Sequence, residues 1–214
     1  MHNESKQWTH VDRLDTGLHP VVYQDACFYY LRRTSEGWSV PSNQRIINFK
    51  HPIEYKNNPT VWNYKLEEIE AFAQDISSWL NSYFMSEVIK ASGNVALVPM
   101  PTSKPRVHPD FDSRLVDLCS RVCQLDGRVR LENILDVKEE LKPSHHGGSR
   151  SVDYLISELI VYKPSRPLDV VILVDDLLTT GSHYAACSTA LKQCFPDIAT
   201  IGLFLARQTY VQSS

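Results

Sequence analysis

The sequence predicts an α/β protein, an open parallel sheet with helices on both faces and a small N-terminal hood or hairpin. Two observations lead there. Val170–Val174 is a run of five apolar residues, four of them β-branched, as in a strand buried on both faces. Further short apolar runs then alternate with amphipathic stretches of helical period, which is the rhythm of a parallel sheet covered by helices.

Each element follows in order. Residues 1–20 are polar, end near Gly17 and Pro20, and read as a flexible leader rather than a secretory signal. Residues 21–50 read as strand-like: Cys27–Leu31 and Arg45–Phe49 flank a turn-rich stretch, which suggests a hairpin. His51–Thr60 is rich in proline and asparagine and reads as a loop. Leu66, Ile69, Phe72, Ala73, Ile76, Leu80 and Tyr83 predict one long amphipathic helix ending near Ser92-Gly93. Val95–Val98 is a short buried strand. Phe111–Leu125 is a second helix with Leu115, Leu118, Cys119 and Val122 on one face, and Leu131–Val137 suits a strand. Residues 138–151 are polar, cationic and glycine-containing, as in a mobile loop. Order returns over Val152–Val161. The Val170 strand follows, stopping at Asp175-Asp176, then a helix over about His183–Phe195 and a closing strand Ala199–Ala206 with an exposed Arg207.

Composition narrows the function classes. The net charge of −3 gives no basis for broad nucleic-acid or anionic-membrane binding, and no apolar run is long enough to span a bilayer. The five cysteines lack a Cys-x-x-Cys pair, so reduced, mostly buried thiols in a cytoplasmic protein are expected. A metal pair at His145-His146 lacks a third ligand nearby in sequence.

The chemistry concentrates after the Val170 strand. Thr179, Thr180 and Ser182 supply hydroxyls, Gly181 permits a tight turn, and the following helix opens with backbone N–H groups that suit a phosphate. Asp175 and Asp176 are placed to accept two neighbouring sugar hydroxyls or to hold the waters of Mg2+. A phosphate beside a cis-diol describes a ribose 5-phosphate. The plainer reading makes the aspartates helix caps, but two adjacent carboxylates repel and need a partner that a cap does not supply.

The segment Ile172–Ser182, reading Ile-Leu-Val-Asp-Asp-Leu-Leu-Thr-Thr-Gly-Ser, resembles the phosphoribosyl-pyrophosphate (PRPP) signature of type I phosphoribosyltransferases. That resemblance implies the type I phosphoribosyltransferase fold. It also implies that Asp175 and Asp176 contact the ribose hydroxyls while Thr179, Thr180, Gly181 and Ser182 hold the 5-phosphate. Val98-Pro99-Met100-Pro101, followed by basic residues, is similar to the ComF-like group, as is Phe49-Lys50 read as a strand ending in lysine. Two departures stand out: the zinc-binding cysteine cluster usual in that group is absent, and His108-Pro109-Asp110-Phe111-Asp112 replaces its Arg-Gly-x-Asn-Gln run. The expected organisation is a leader over 1–20, a hairpin-and-helix hood over 21–92 and a phosphoribosyltransferase core over 93–214.

Two loops would complete the site. Thr102, Ser103, Lys104 and Arg106 follow the Val95 strand and could bind a diphosphate, Arg106 as a planar fork; a solvated surface loop is the alternative. The stretch Lys138–Arg150 is similar to the catalytic loop of orotate-type enzymes. It offers Lys138, Lys142, His145 and Arg150 to cover and neutralise a departing diphosphate, with Lys142 and His145 as catalytic candidates; a solvated connector is the alternative. The expected activity is phosphoribosyl transfer from PRPP with Mg2+ to a nitrogenous acceptor. The competing functions are a PRPP- or nucleotide-monophosphate-binding regulatory module without turnover, or an effector subunit of a bacterial anti-phage, retron-like assembly. A homodimer or a larger assembly is compatible with either.

Overall fold

A computed structural model describes residues 7–13, 15–34, 40–141 and 151–209. In chain order the elements are β1 (Thr9–His10), α1 (Pro20–Gln24), β2 (Ala26–Arg33), α2 (Pro41–Phe49), a 3-10 turn (Ile53–Asn57), α3 (Pro59–Leu80), α4 (Tyr83–Ser92), β3 (Val95–Pro99), α5 (Arg114–Leu125), β4 (Arg130–Leu131), β5 (Leu135–Val137), α6 (Val152–Glu158), β6 (Leu159–Val161), β7 (Val170–Leu178), α7 (Ser182–Cys194) and β8 (Ala199–Gln208). Six strands form one open sheet in the order β1-β2-β8-β7-β3-β4, parallel except for β1. Strands β5 and β6 pair antiparallel as a separate ribbon.

The two sides of β7 face different cores, as period-2 alternation requires. Val171 and Leu173 pack with Val22, Leu155, Tyr184 and Leu191 beneath α1, α6 and α7. Val170, Ile172 and Val174 pack with Ile46, Phe49, Phe72, Ile76 and Leu118 beneath α2, α3 and α5. Helices therefore cover both faces. No helix among the described residues is long and apolar enough to cross a membrane.

The N-terminal third departs from expectation. Arg45–Phe49 lies in helix α2, where Pro41 presets the first turn and Ser42, Asn43, Ile46 and Phe49 are buried at helical spacing. Cys27–Leu31 is a strand, but instead of forming a hairpin it joins the main sheet parallel to β8, with Tyr29 opposite Phe204. Described residues of the expected leader belong to the fold: Thr9 pairs with Tyr29, and Val11 and Leu18 are buried. The loop over 51–60 holds the 3-10 turn, and Pro59 already begins α3.

Other boundaries move for local reasons. The long helix divides at Asn81-Ser82, where Ser82 Oγ accepts the Met85 N–H and starts α4, and Leu66 and Tyr83 are exposed. Leu131–Val137 splits between β4 and β5, which belong to different sheets. Strand β7 runs through the aspartates to Leu178, with Asp175 opposite Phe204. Arg207 is buried, because its Nη1 donates to the carbonyls of Thr179 and Gln208 and its Nη2 to that of Thr16.

Candidate functional site

Chain order reverses between β3 and β7: β3 leads outward to β4, whereas β7 leads to β8 on its other side. In open α/β sheets that reversal leaves a crevice beyond the strands' carboxyl ends. A cleft of about 670 Å3 lies there, walled by the β3 loop (Thr102, Ser103, Lys104), the end of β7 (Asp175, Asp176), Asp112 and Arg114 at the start of α5, Lys50, and His183 in the first turn of α7. Pro52, Ile53 and Glu54 form a rim from the 3-10 turn and the residue before it.

Asp176 is the buried centre of an ionic network. Its Oδ1 accepts from Lys50 Nζ at 2.9 Å, and its Oδ2 accepts from Arg114 Nε at 3.1 Å and Nη2 at 2.5 Å. Arg114 Nη1 donates to Asp112 Oδ2 at 2.7 Å, and the buried Lys65 Nζ donates to both oxygens of Asp112. Burial alone would raise the Asp176 pKa; Lys50 and Arg114 outweigh it and hold the carboxyl below the usual range. The same pairing keeps Arg114 charged despite its own burial.

Asp175 is the more open partner. Its Oδ1 accepts the Asp176 N–H at 2.8 Å, and its Oδ2 lies 3.6 Å from His183 Nδ1. Burial disfavours a charged His183, but Cys187, one helical turn on, and Asp175 raise its pKa overall. His183 Nε2 is buried without a hydrogen-bond partner.

The hydroxyl bend lies next to the cleft rather than in its wall. Gly181 adopts the left-handed region (φ 77°) at the cap of α7, and Thr179 and Thr180 are exposed. Helix α1 backs the bend: the His19 N–H donates to the Thr180 carbonyl at 2.8 Å, and a Cβ on Gly181 would meet Val22 Cγ2 at 2.4 Å. Thr180 Oγ1 and Ser182 Oγ are 3.1 Å apart.

The β3 loop divides. Thr102, Ser103 and Lys104 reach the cleft, with Lys104 Nζ on Asp110 Oδ2 at 2.9 Å. Arg106 does not, contrary to the expected diphosphate fork. Its Nε donates to Asp136 Oδ2 at 2.9 Å, its Nη1 to the Asn133 carbonyl, and its guanidinium stacks 4.8 Å from the Tyr162 ring centre. Lys138 likewise turns aside, donating to the Ser157 carbonyl. Lys142, His145 and Arg150 lie outside the described residues, but Leu141 lines the cleft and its N–H donates to the Ser103 carbonyl.

Lys50, Arg114, Asp112 and His183 line the site although the sequence pattern assigns none of them to ligand or dyad. Lys50 is 126 residues from Asp176 in the chain, so no local pattern joins them. The donor set does not make a resident Mg2+ site: three cationic nitrogens occupy Asp176, and among the described residues no cluster of three or more His, Cys, Asp or Glu could hold a metal.

The chain is similar to two crystal structures of a hypoxanthine phosphoribosyltransferase from Staphylococcus aureus, one tetragonal and one orthorhombic. Both align at 13% identity and a TM-score of 0.37, over 66% and 69% of this chain and 64% and 70% of those chains. No protein-family model matches the chain, and no curated protein matches it.

Proposed function

We propose that the chain binds PRPP, or another ribose 5-phosphate, in the crevice between β3 and β7 and transfers the phosphoribosyl group to a nitrogenous acceptor. One observation carries this reading. A buried strand delivers Asp175 and Asp176 to the cleft, and three residues later an exposed hydroxyl bend opens α7 through a left-handed glycine. The 5-phosphate would rest on the backbone N–H groups and hydroxyls of Thr179–Ser182, with the helix dipole favouring the anion. Asp175 would accept the ribose hydroxyls. Thr102, Ser103 and Lys104 would meet the diphosphate.

In the reaction, the bond from ribose C1 to diphosphate oxygen breaks, and the oxygen keeps the electron pair. The acceptor nitrogen forms the new bond to C1 and loses its proton to solvent or to the diphosphate. The chain contributes positioning and cationic stabilisation of the leaving group, so no protein nucleophile is needed. Mg2+ belongs to this reading as a counter-ion carried by the diphosphate, and no step is assigned to it.

Titration calorimetry with PRPP, followed by an assay of diphosphate release across a panel of bases and small amines, tests the proposal. Saturable binding with release for at least one acceptor is expected; absence of heat at millimolar PRPP overturns it. Binding without release for every acceptor would favour the regulatory-module reading. The occupation of Asp176 by Lys50 and Arg114 supports that alternative, since it leaves the sugar one open carboxylate.

A further inference from the structure

We infer that Lys50 and Arg114 stand where a divalent cation would serve the acidic pair, so that the sugar-phosphate part of the ligand binds without a metal. The inference rests on the ribose-phosphate reading of the cleft and concerns how its charge is balanced.

The geometry leaves little for a metal to do. Lys50 Nζ takes one Asp176 oxygen at 2.9 Å, and Arg114 takes the other through two nitrogens. The Asp176 N–H takes Asp175 Oδ1 at 2.8 Å. A Mg2+ ion demands near-ideal octahedral oxygen ligands at about 2.0–2.1 Å, and to take Asp176 as one of them it would have to displace Lys50 and Arg114. Positive charge already surrounds the carboxylates: Lys50, Arg114 and Lys65 form a connected network with Asp176 and Asp112, three cations against two carboxylates, and Asp175 adjoins it beside His183.

The two cations differ in what they can still offer. Arg114 is committed on three nitrogens to Asp176 and Asp112 and is only 15% exposed, so it acts as fixed charge. Lys50 is 37% exposed and faces the cleft, and an ammonium has three donors, of which one is given to Asp176. The other two point the role at an anion or hydroxyl of the ligand. A compact ammonium that neutralises a carboxylate while donating to the ligand does what a hydrated metal does between those groups.

Ribose 5-phosphate is the decisive probe, because it lacks the diphosphate that carries Mg2+ by itself. The full chain is titrated with ribose 5-phosphate and with PRPP, each in EDTA and in millimolar Mg2+. For ribose 5-phosphate the two dissociation constants should agree within about threefold. The half-buried position of Lys50 at the cleft wall favours a folded Lys50→Gln variant, checked by circular dichroism. That variant should lose at least about tenfold in affinity in EDTA and recover part of it with Mg2+. Wild-type binding that disappears in EDTA overturns the inference, as does a Lys50→Gln variant indistinguishable from wild type there. Should neither ligand bind in either buffer, the ribose-phosphate reading fails and takes this inference with it, a result distinct from binding that needs the metal.

Discussion

Asp176 keeps its charge in a buried position because Lys50 and Arg114 share it, and this separates the two aspartates that look equivalent in the sequence. Asp176→Asn leaves Lys50 without its counter-charge and Arg114 with Asp112 alone, and removing one partner of a buried pair costs about 3 kcal/mol or more. The melting temperature should fall by roughly 6 °C or more. Asp175→Asn should leave the melting temperature within about 2 °C of wild type and remove PRPP binding. Equal effects of the two variants on stability would refute this division. Acid sensitivity belongs to the same residue. A carboxylate whose folded pKa is lowered contributes stability that is complete above its unfolded value, about pH 4, and lost as pH falls toward the folded value. Urea midpoints measured across that range should drop steeply for wild type and more shallowly for Asp176→Asn. The long-range pairs of the network were not legible in sequence, since Lys50–Asp176 and Lys65–Asp112 join positions 126 and 47 residues apart. The dyad itself was legible, because strand, carboxylates, hydroxyls and glycine are contiguous.

At the scale of elements, the bend between β7 and α7 depends on Gly181 twice, through its left-handed backbone and through the 2.4 Å that a Cβ would leave to Val22. Gly93 has the same kind of backbone (φ 74°) at the end of α4 but open space around it. Gly93→Ala should therefore cost about 1 kcal/mol from the backbone alone. Gly181→Ala should cost roughly 2–3 kcal/mol as α1 is pushed away, and should weaken phosphate affinity as well. Denaturant midpoints compare the two, and equal losses would deny α1 its supporting role. Elements set by near neighbours were readable: β3, β7, α5 and α7 lie close to where the apolar pattern puts them. Helix α2 was misread because the β-branched pair Ile46-Ile47 suggests a strand, while the buried Ser42 and Asn43 hide its helical stripe. Those two side chains instead serve β2: Ser42 Oγ donates to the Arg32 carbonyl, and Asn43 exchanges hydrogen bonds with the Thr34 backbone.

Over the whole molecule, β2 belongs to the main sheet, so the segment read as a hairpin-and-helix hood or extension supplies a strand to the core. A fragment of residues 93–214 lacks β2, α2 and α3, exposing the outer edge of β8 and one apolar face of the sheet. We expect that fragment to be unfolded or aggregated by circular dichroism and size exclusion; a monomeric, folded fragment would contradict this. Asp25, just before β2, ties the same parts together by accepting from Tyr184 Oη, Ser188 Oγ, Thr200 Oγ1 and Lys192 Nζ at 2.7–2.9 Å. Asp25→Ala should cost about 3–5 kcal/mol although it lies away from the cleft, read as a lower urea midpoint. Such a hub cannot be inferred from one chain segment, because its donors come from α7 and β8, some 160–175 residues further on. The thiols carry a practical consequence. Cys27, Cys119 and Cys187 are sealed inside, whereas Cys194 is exposed at the far end of α7, about 20 Å along the helix from the hydroxyl bend. A maleimide dye would react fastest there, giving an optical reporter of α7 that leaves ligand occupancy unobstructed.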